Sequence, residues 1–210
     1  MEIWQRLSQS WKQARVRRAM QQGIAQLYNG EIERALASCS TALALDPTLV
    51  EGYHTRGRAY YRLGDYARAI ADYTVALKLD RKRADIYLNR GLAYYSNGEL
   101  EDAFGDINVA IYLDPKQAAA YEYRGVVEET EGNLYAAIAD YTQTIRLNPM
   151  LDTAYTYRGS ARADRGDISG AIADFRSYLA LGGGHRHGDQ SSVEEQIAAL
   201  EDEIEQRAAY

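Results

Sequence analysis

Residues 53–80 read YHTRGRAYYRLGDYARAIADYTVALKLD, and the stretch returns along the chain at a fixed pitch. Gly23, Gly57, Gly91, Gly125 and Gly159 stand 34 residues apart. So do Gly30, Gly64, Gly98, Gly132 and Gly166, and so do Ala35, Ala69, Ala103, Ala137 and Ala171. A period of this length marks a solenoid of small supersecondary units, each burying its apolar face on its neighbours instead of in one central core. Five copies fill residues 16–183, with boundaries at 16–49, 50–83, 84–117, 118–151 and 152–183.

Each copy reads as two antiparallel helices. In the second, residues 51–63 form the first helix. Gly64 ends it in the left-handed conformation, and Asp65 accepts from the free N–H groups of the next helix. The pair recurs as Gly30-Glu31, Gly98-Glu99, Gly132-Asn133 and Gly166-Asp167, with Glu the weakest cap. A second helix runs over 66–79, and Leu-Asp-Pro or Leu-Asn-Pro then turns the chain. All three prolines, Pro47, Pro115 and Pro149, hold this one repeat position, where a helix must stop and restart. Gly57 and Ala69 let the two helices approach closely while Tyr53, Tyr60 and Tyr73 fill the volume around them.

These residues resemble the tetratricopeptide repeat, whose motif runs W-x2-L-G-x2-Y, then A-x3-F, then P. The pattern appears as Tyr53-x2-Arg56-Gly57-x2-Tyr60 with Ala69-x3-Tyr73, and as Tyr87-x2-Arg90-Gly91-x2-Tyr94 with Ala103-x3-Ile107 and Pro115. Repeat one diverges, with Ala19, Gln22 and Cys39 at the motif positions. The Tyr-rich style is closer to bacterial, particularly cyanobacterial, members, among which assembly factors for membrane complexes are frequent. The resemblance implies an all-α, right-handed α–α superhelix of about five helix-turn-helix repeats with capping helices at its ends.

Arg56, Arg90, Arg124 and Arg158 take the Leu position of the motif, each matched in its own repeat by Asp72, Asp106, Asp140 or Asp174. Repeat one has Gln22 and Ser38 instead. Both positions lie at similar distances from the hairpin turn, so the expectation is a ladder of Arg–Asp pairs that sets register.

Composition narrows the function. A hydrophobic fraction of 46% with 26% charged residues fits a soluble folded chain, and a net charge of −6 argues against nucleic acid as a partner. The single cysteine, Cys39, excludes an internal disulfide and lies in a helical apolar pattern, as a buried inert thiol would. No secretory signal and no membrane-spanning run is seen, so the expected location is cytoplasmic. His54, His185 and His187 have no acidic or thiol cluster suited to a metal, and no phosphate-cradling loop or acid–base pair emerges. The expectation is a non-enzyme with no cofactor and no metal.

The termini differ from the repeats. Residues 1–15 read as a separate basic amphipathic helix, with Ile3, Leu7 and Trp11 in a stripe beside Trp4. Residues 1–18 carry Arg6, Lys12, Arg15, Arg17 and Arg18 against Glu2. This helix either covers the open end of repeat one or docks on a membrane surface through Trp4, Leu7, Trp11, Lys12, Arg15 and Arg18. Residues 184–190 read as a flexible polar linker with solvated histidines. Residues 191–210 read as an acidic capping helix, six acids against one arginine, with a coiled-coil homo-oligomer as the alternative.

The resemblance also implies that the first helix of each repeat lines a concave face that binds peptide segments or helices of partner proteins. On this chain that face comprises Arg17, Met20, Ile24 and Tyr28 in repeat one, and His54, Arg58, Tyr61 and Arg62 in repeat two. Repeat three gives Leu88, Asn89, Leu92 and Tyr95; repeats four and five give Glu122, Tyr123, Val126 and Tyr157. A family subgroup grips chaperone C-termini with Lys and Asn here. Of the matching Met20, Ile24, Thr55, Asp85 and Asn89 only the Asn agrees, so that activity is not implied. The expected function is a protein-interaction scaffold holding a partner segment, with Leu88, Leu92 and Tyr95 as apolar anchor and an acidic stretch towards Arg58 and Arg62. A membrane-anchored scaffold and a structural homo-oligomer are the alternatives.

Overall fold

The computed structural model describes the backbone of residues 2–208 and the side chains of residues 9–208. Among them are twelve helices and no strand. Two compact units divide the chain, residues 1–113 and 114–210. The first holds three helix hairpins: α1 (Glu2–Tyr28) with α2 (Ile32–Leu45), α3 (Val50–Arg62) with α4 (Tyr66–Leu79), and α5 (Ala84–Ser96) with α6 (Leu100–Leu113). The second holds two, α7 (Ala118–Thr130) with α8 (Leu134–Leu147) and α9 (Asp152–Asp164) with α10 (Ile168–Ala180), followed by α11 (Gly183–His187) and α12 (Gln190–Ala208).

The hairpins close because one residue is small where the partner is large. A Cβ built on Gly57 would stand 2.7 Å from the Tyr73 ring, and the same approach recurs at Gly125 on Tyr141 and Gly159 on Phe175. In repeat one Cys39 fills the aromatic's slot, its Sγ 2.7 Å from a Cβ on Gly23. Ala35, Ala69, Ala103, Ala137 and Ala171 are fully buried beside these contacts. Burying a ring the size of Phe175 contributes roughly 1.5–3 kcal/mol.

At the turns, Gly64 adopts φ +77°, and its counterparts in the other repeats behave alike. Asp65 Oδ1 accepts from the Arg68 amide at 3.0 Å, and Asp167 Oδ1 from Gly170 at 3.1 Å. Glu31 and Asn133 make no such side-chain cap. The turns between repeats are held by Asx bonds: Asp46, Asp80, Asp114 and Asn148 each accept from the amide two residues on.

The Arg–Asp ladder is present. Arg56, Arg90, Arg124 and Arg158 each hold their aspartate through Nε and Nη2, at 2.6–3.0 Å. Each fork is backed by the ring of the Tyr three residues earlier. The third nitrogen does what the sequence did not reveal. Nη1 of Arg56, Arg90 and Arg158 donates to Ser40, Thr74 and Thr142 of the preceding repeat, at 3.0–3.2 Å. One side chain thus closes its own hairpin and ties it to the one before.

Two expectations about the termini are corrected. The N-terminal helix is not separate: α1 runs unbroken from Glu2 to Tyr28, because nothing in the sequence between Trp11 and Val16 breaks a helix. The linker expected over 184–190 is largely structured as α11, between the left-handed Gly182 and Gly188. Its glycines serve close packing: Gly183 has no room for a Cβ against Tyr178, nor Gly184 against Leu179 and Gln190. Arg186 Nη1 reaches buried Asp152 at 2.6 Å, His187 Nε2 lies 3.3 Å from the same carboxylate, and Tyr178 donates to Asp189 at 2.7 Å. His187 stays exposed, as expected of a solvated histidine, while its ring stacks on Tyr178. Beyond it, α12 lays Val193 and Ile197 on Ile168, Ile172 and Phe175, covering the last hairpin.

Candidate partner-binding face

In the N-terminal unit the first helices α1, α3 and α5 lie side by side. Three adjoining depressions run across them. The largest, about 730 Å³, lies between α1 and the α2–α3 turn, with Val16, Met20, Ile24, Leu45, Pro47 and Leu49 as apolar wall and Lys12, Arg17, Asp46 and Glu51 as its charged lining. The next, about 340 Å³, shares Ile24 and adds Leu27, Tyr28, Thr55, Arg58 and Arg62. A third, about 190 Å³, shares both arginines and reaches Tyr61, Tyr73, Asn89 and Leu92.

Residues expected on this face divide by repeat position. Met20, His54 and Leu88 are equivalents 34 residues apart, and all three are buried. That position packs between successive first helices, so His54 and Leu88 do not project as contacts or as an anchor; Met20 only floors the large depression. Four residues on, the equivalents face outward: Ile24 is 46% exposed, Arg58 is exposed and Leu92 half-buried. Tyr28 stands 90% exposed at the end of α1. Tyr61 and Tyr95 are half-buried, with the Tyr61 hydroxyl 3.2 Å from Ser96 Oγ.

The buried imidazole of His54 needs partners and has them. Asn89 Nδ2 lies 2.8 Å from Nε2. Nδ1 faces the carboxylates of Glu51 and Asp85 at 3.8 and 3.7 Å. Arg83 joins both acids: Nε and Nη2 grip Asp85 at 2.9 and 2.7 Å, and Nη2 reaches Glu51 at 3.4 Å. The His54 imidazole, with Arg83 behind it, holds the Glu51 carboxyl below the usual carboxylate range. Burial works against the charge of Asp85, and the Arg83 fork outweighs it, so that carboxyl is held low as well. Both acids are thus engaged by Arg83 and turned to His54. Arg83 went unnoticed in the sequence, although it stands where other repeats have Leu49, Gln117 and Leu151.

The cations are not equally engaged. Arg62 Nη1 donates to the Leu27 carbonyl at 2.6 Å, satisfying one of the last acceptors of α1. Arg17 and Arg58 are exposed and make no ion pair among the described residues. Lys12, Arg15 and Arg18 are exposed along α1, and Trp11 is 72% exposed beside them. Trp4 and Leu7 fall outside the described side chains.

In the C-terminal unit, Tyr123 and Tyr157 are partly exposed, and Tyr157 stacks on Tyr141 at 5.6 Å. Val126 packs beneath them on Ala137, Tyr141 and Ala161. Glu122 is half-buried and accepts from Thr153 Oγ1 at 2.9 Å; burial, and nearby Asp152, push its carboxyl up. No group of metal-ligating side chains occurs among the described residues, and no described helix is long and apolar enough to cross a membrane.

Stacked hairpins with an open face of first helices define a helical-repeat scaffold. Four tetratricopeptide-repeat models match the sequence, over residues 38–71, 57–98, 84–117 and 124–185. The chain belongs to the tetratricopeptide repeat family. Among solved structures it is similar to MamA, at 27% identity and a TM-score of 0.71 over 79% of this chain and 96% of that one. It shares its fold with PilF of Pseudomonas aeruginosa, at 18% identity and a TM-score of 0.76 over 93% and 92% of the two chains. The same holds for YrrB, described as a TPR protein with an unusual peptide-binding site, at 20% identity and a TM-score of 0.66 over 83% and 90%. Comparison with curated protein sequences gives no significant match.

Proposed function

We propose that this chain is a non-enzymatic protein-interaction scaffold whose α1–α3–α5 face holds a partner segment that is both apolar and acidic. The observation that carries the reading is the proximity of Arg17 and Arg58, which make no ion pair among the described residues, to the apolar wall of Val16, Met20, Ile24, Leu45, Pro47 and Leu49. Tyrosine and arginine beside an apolar depression are the residues that dominate binding energy in interfaces. The apolar anchor is placed at Ile24 and Leu92 in preference to buried Leu88. Such a scaffold serves the assembly of a larger complex by holding one component while others join.

The test is fluorescence anisotropy with a peptide array that varies acidic and apolar content independently. Arg58→Glu and Ile24→Asp should each weaken acidic–apolar peptides by about tenfold or more, a loss of about 1.4 kcal/mol, with helicity unchanged. Equal affinity for wild type and Arg58→Glu would overturn the reading.

A second reading is favoured by the exposure of Trp11 beside Lys12, Arg15 and Arg18. Here α1 rests on an anionic membrane surface and carries the scaffold there. Co-sedimentation with anionic but not neutral vesicles is the expected result, and binding to both alike, or to neither, counts against it.

A further inference from the structure

We infer that the α1–α3–α5 face receives the C-terminal helix of a second copy of this chain, so that copies associate head to tail. The inference rests on the reading of that face given above and names its occupant. The outward side of α12 offers the acidic part of that chemistry. Its first turns serve its own unit, where Val193 and Ile197 are buried on α10. From Leu200 onward it carries Glu201, Asp202, Glu203 and Glu205, with Ile204 still 38% exposed. Two of those acids are engaged locally, Glu201 by Arg176 and Glu203 by Arg207. Asp202 and Glu205 make no ion pair among the described residues.

The two surfaces match in charge. Two carboxylates without cations face two guanidiniums without acids, Arg17 and Arg58. Asp202 and Glu205 are three residues apart, so they are neighbours on the helix surface. Ile204 lies off that acidic side, in line with Val193, Ile197 and Leu200, so the acids and not an apolar anchor make the contact. Because the face and the helix are different patches of one molecule, the contact is heterologous: each copy offers both, and association continues into open chains or rings. Exposed ion pairs make it weaker at high salt.

The experiment is sedimentation equilibrium of the full chain over a concentration series, at low and high salt. Three proteins are compared: wild type, a tail variant (Asp202→Asn with Glu205→Gln) and a face variant (Arg17→Gln with Arg58→Gln), each checked for helicity by circular dichroism. Wild type should associate progressively, and each variant alone should weaken association by about tenfold or more. An equimolar mixture of the two variants keeps one intact face and one intact tail, and so should give heterodimers that grow no further. A monomeric wild type at every concentration would overturn the inference, as would association indifferent to the tail variant or a mixture that forms no heterodimer. The peptide array separates the two levels. If wild type is monomeric yet binds acidic–apolar peptides in an Arg58-dependent way, the self-docking alone is wrong. If it binds none, the reading of the face falls with it.

Discussion

Arg90 holds Asp106 by two parallel bonds, Nε to Oδ2 at 2.6 Å and Nη2 to Oδ1 at 2.9 Å, and both side chains are largely shielded from solvent. A bidentate pair in such a setting is a weak net stabiliser but costly to break, because the survivor is left charged and unpaired. Asp106→Ala should therefore cost about 3 kcal/mol. In a double-mutant cycle, Arg90→Leu and Asp106→Ala should couple by about 1–3 kcal/mol. Additive losses in denaturant unfolding would show that the two do not act as a pair.

Two glycine substitutions should differ in sign. Gly57→Ala drives a methyl into the Tyr73 ring at 2.7 Å and should cost about 1–3 kcal/mol. Gly105, exposed on α6, has no atom within 4 Å of a built Cβ. Gly105→Ala should stabilise by about 0.4–1 kcal/mol, by restricting the unfolded chain and improving helix propensity. Urea midpoints for the two variants on opposite sides of wild type are the expected result.

Cys39 should be silent in the native protein. It is fully buried against Gly23, and burial pushes its thiol up to about 11. A thiol-reactive dye at mildly alkaline pH should label it only after denaturant unfolds the first hairpin. Rapid native labelling would mean that repeat one opens on its own.

Glu122 gives a dependence on pH. Its carboxyl is raised by burial, so the folded state holds the proton more firmly than the unfolded state does. The fold accordingly loses stability as pH rises through the folded value, and at neutral pH the charged Glu122 opposes folding. Glu122→Gln should raise the melting temperature at neutral pH. That gain should vanish in acid, below the unfolded value, where Glu122 is neutral in both states.

The sequence made the hairpins legible because their constraints are local and repeated. Gly64 and its counterparts mark every turn, and the Arg–Asp ladder was readable because both members change together, with Gln22 and Ser38 absent from the pattern in repeat one. In that repeat Ser38 is bonded at 2.7 Å to Gln26 instead. What escaped was set by tertiary phase. His54 and Arg58 lie one helical turn apart, yet one is buried between helices and the other open. A repeat pattern cannot separate these, because both recur at the same interval. The α11 turn escaped for another reason: Gly182 to Gly184 have the composition of a flexible link, yet Gly183 makes room for the Tyr178 ring and Gly184 for Leu179 and Gln190.

The arginines of the ladder reach back along the chain, Arg56 to Ser40, Arg90 to Thr74 and Arg158 to Thr142. The chain therefore has a reading direction written in its side chains: repeat two takes a hydroxyl from repeat one and leaves one for repeat three, and repeat five takes one from repeat four. Repeat one, with Gln22, asks for nothing behind it and can stand only first. Placing it behind repeat two would leave Arg56 without Ser40 at the new beginning and set Gln22, in place of Arg90, against Thr74. The opening repeat is therefore not interchangeable with the one that follows it.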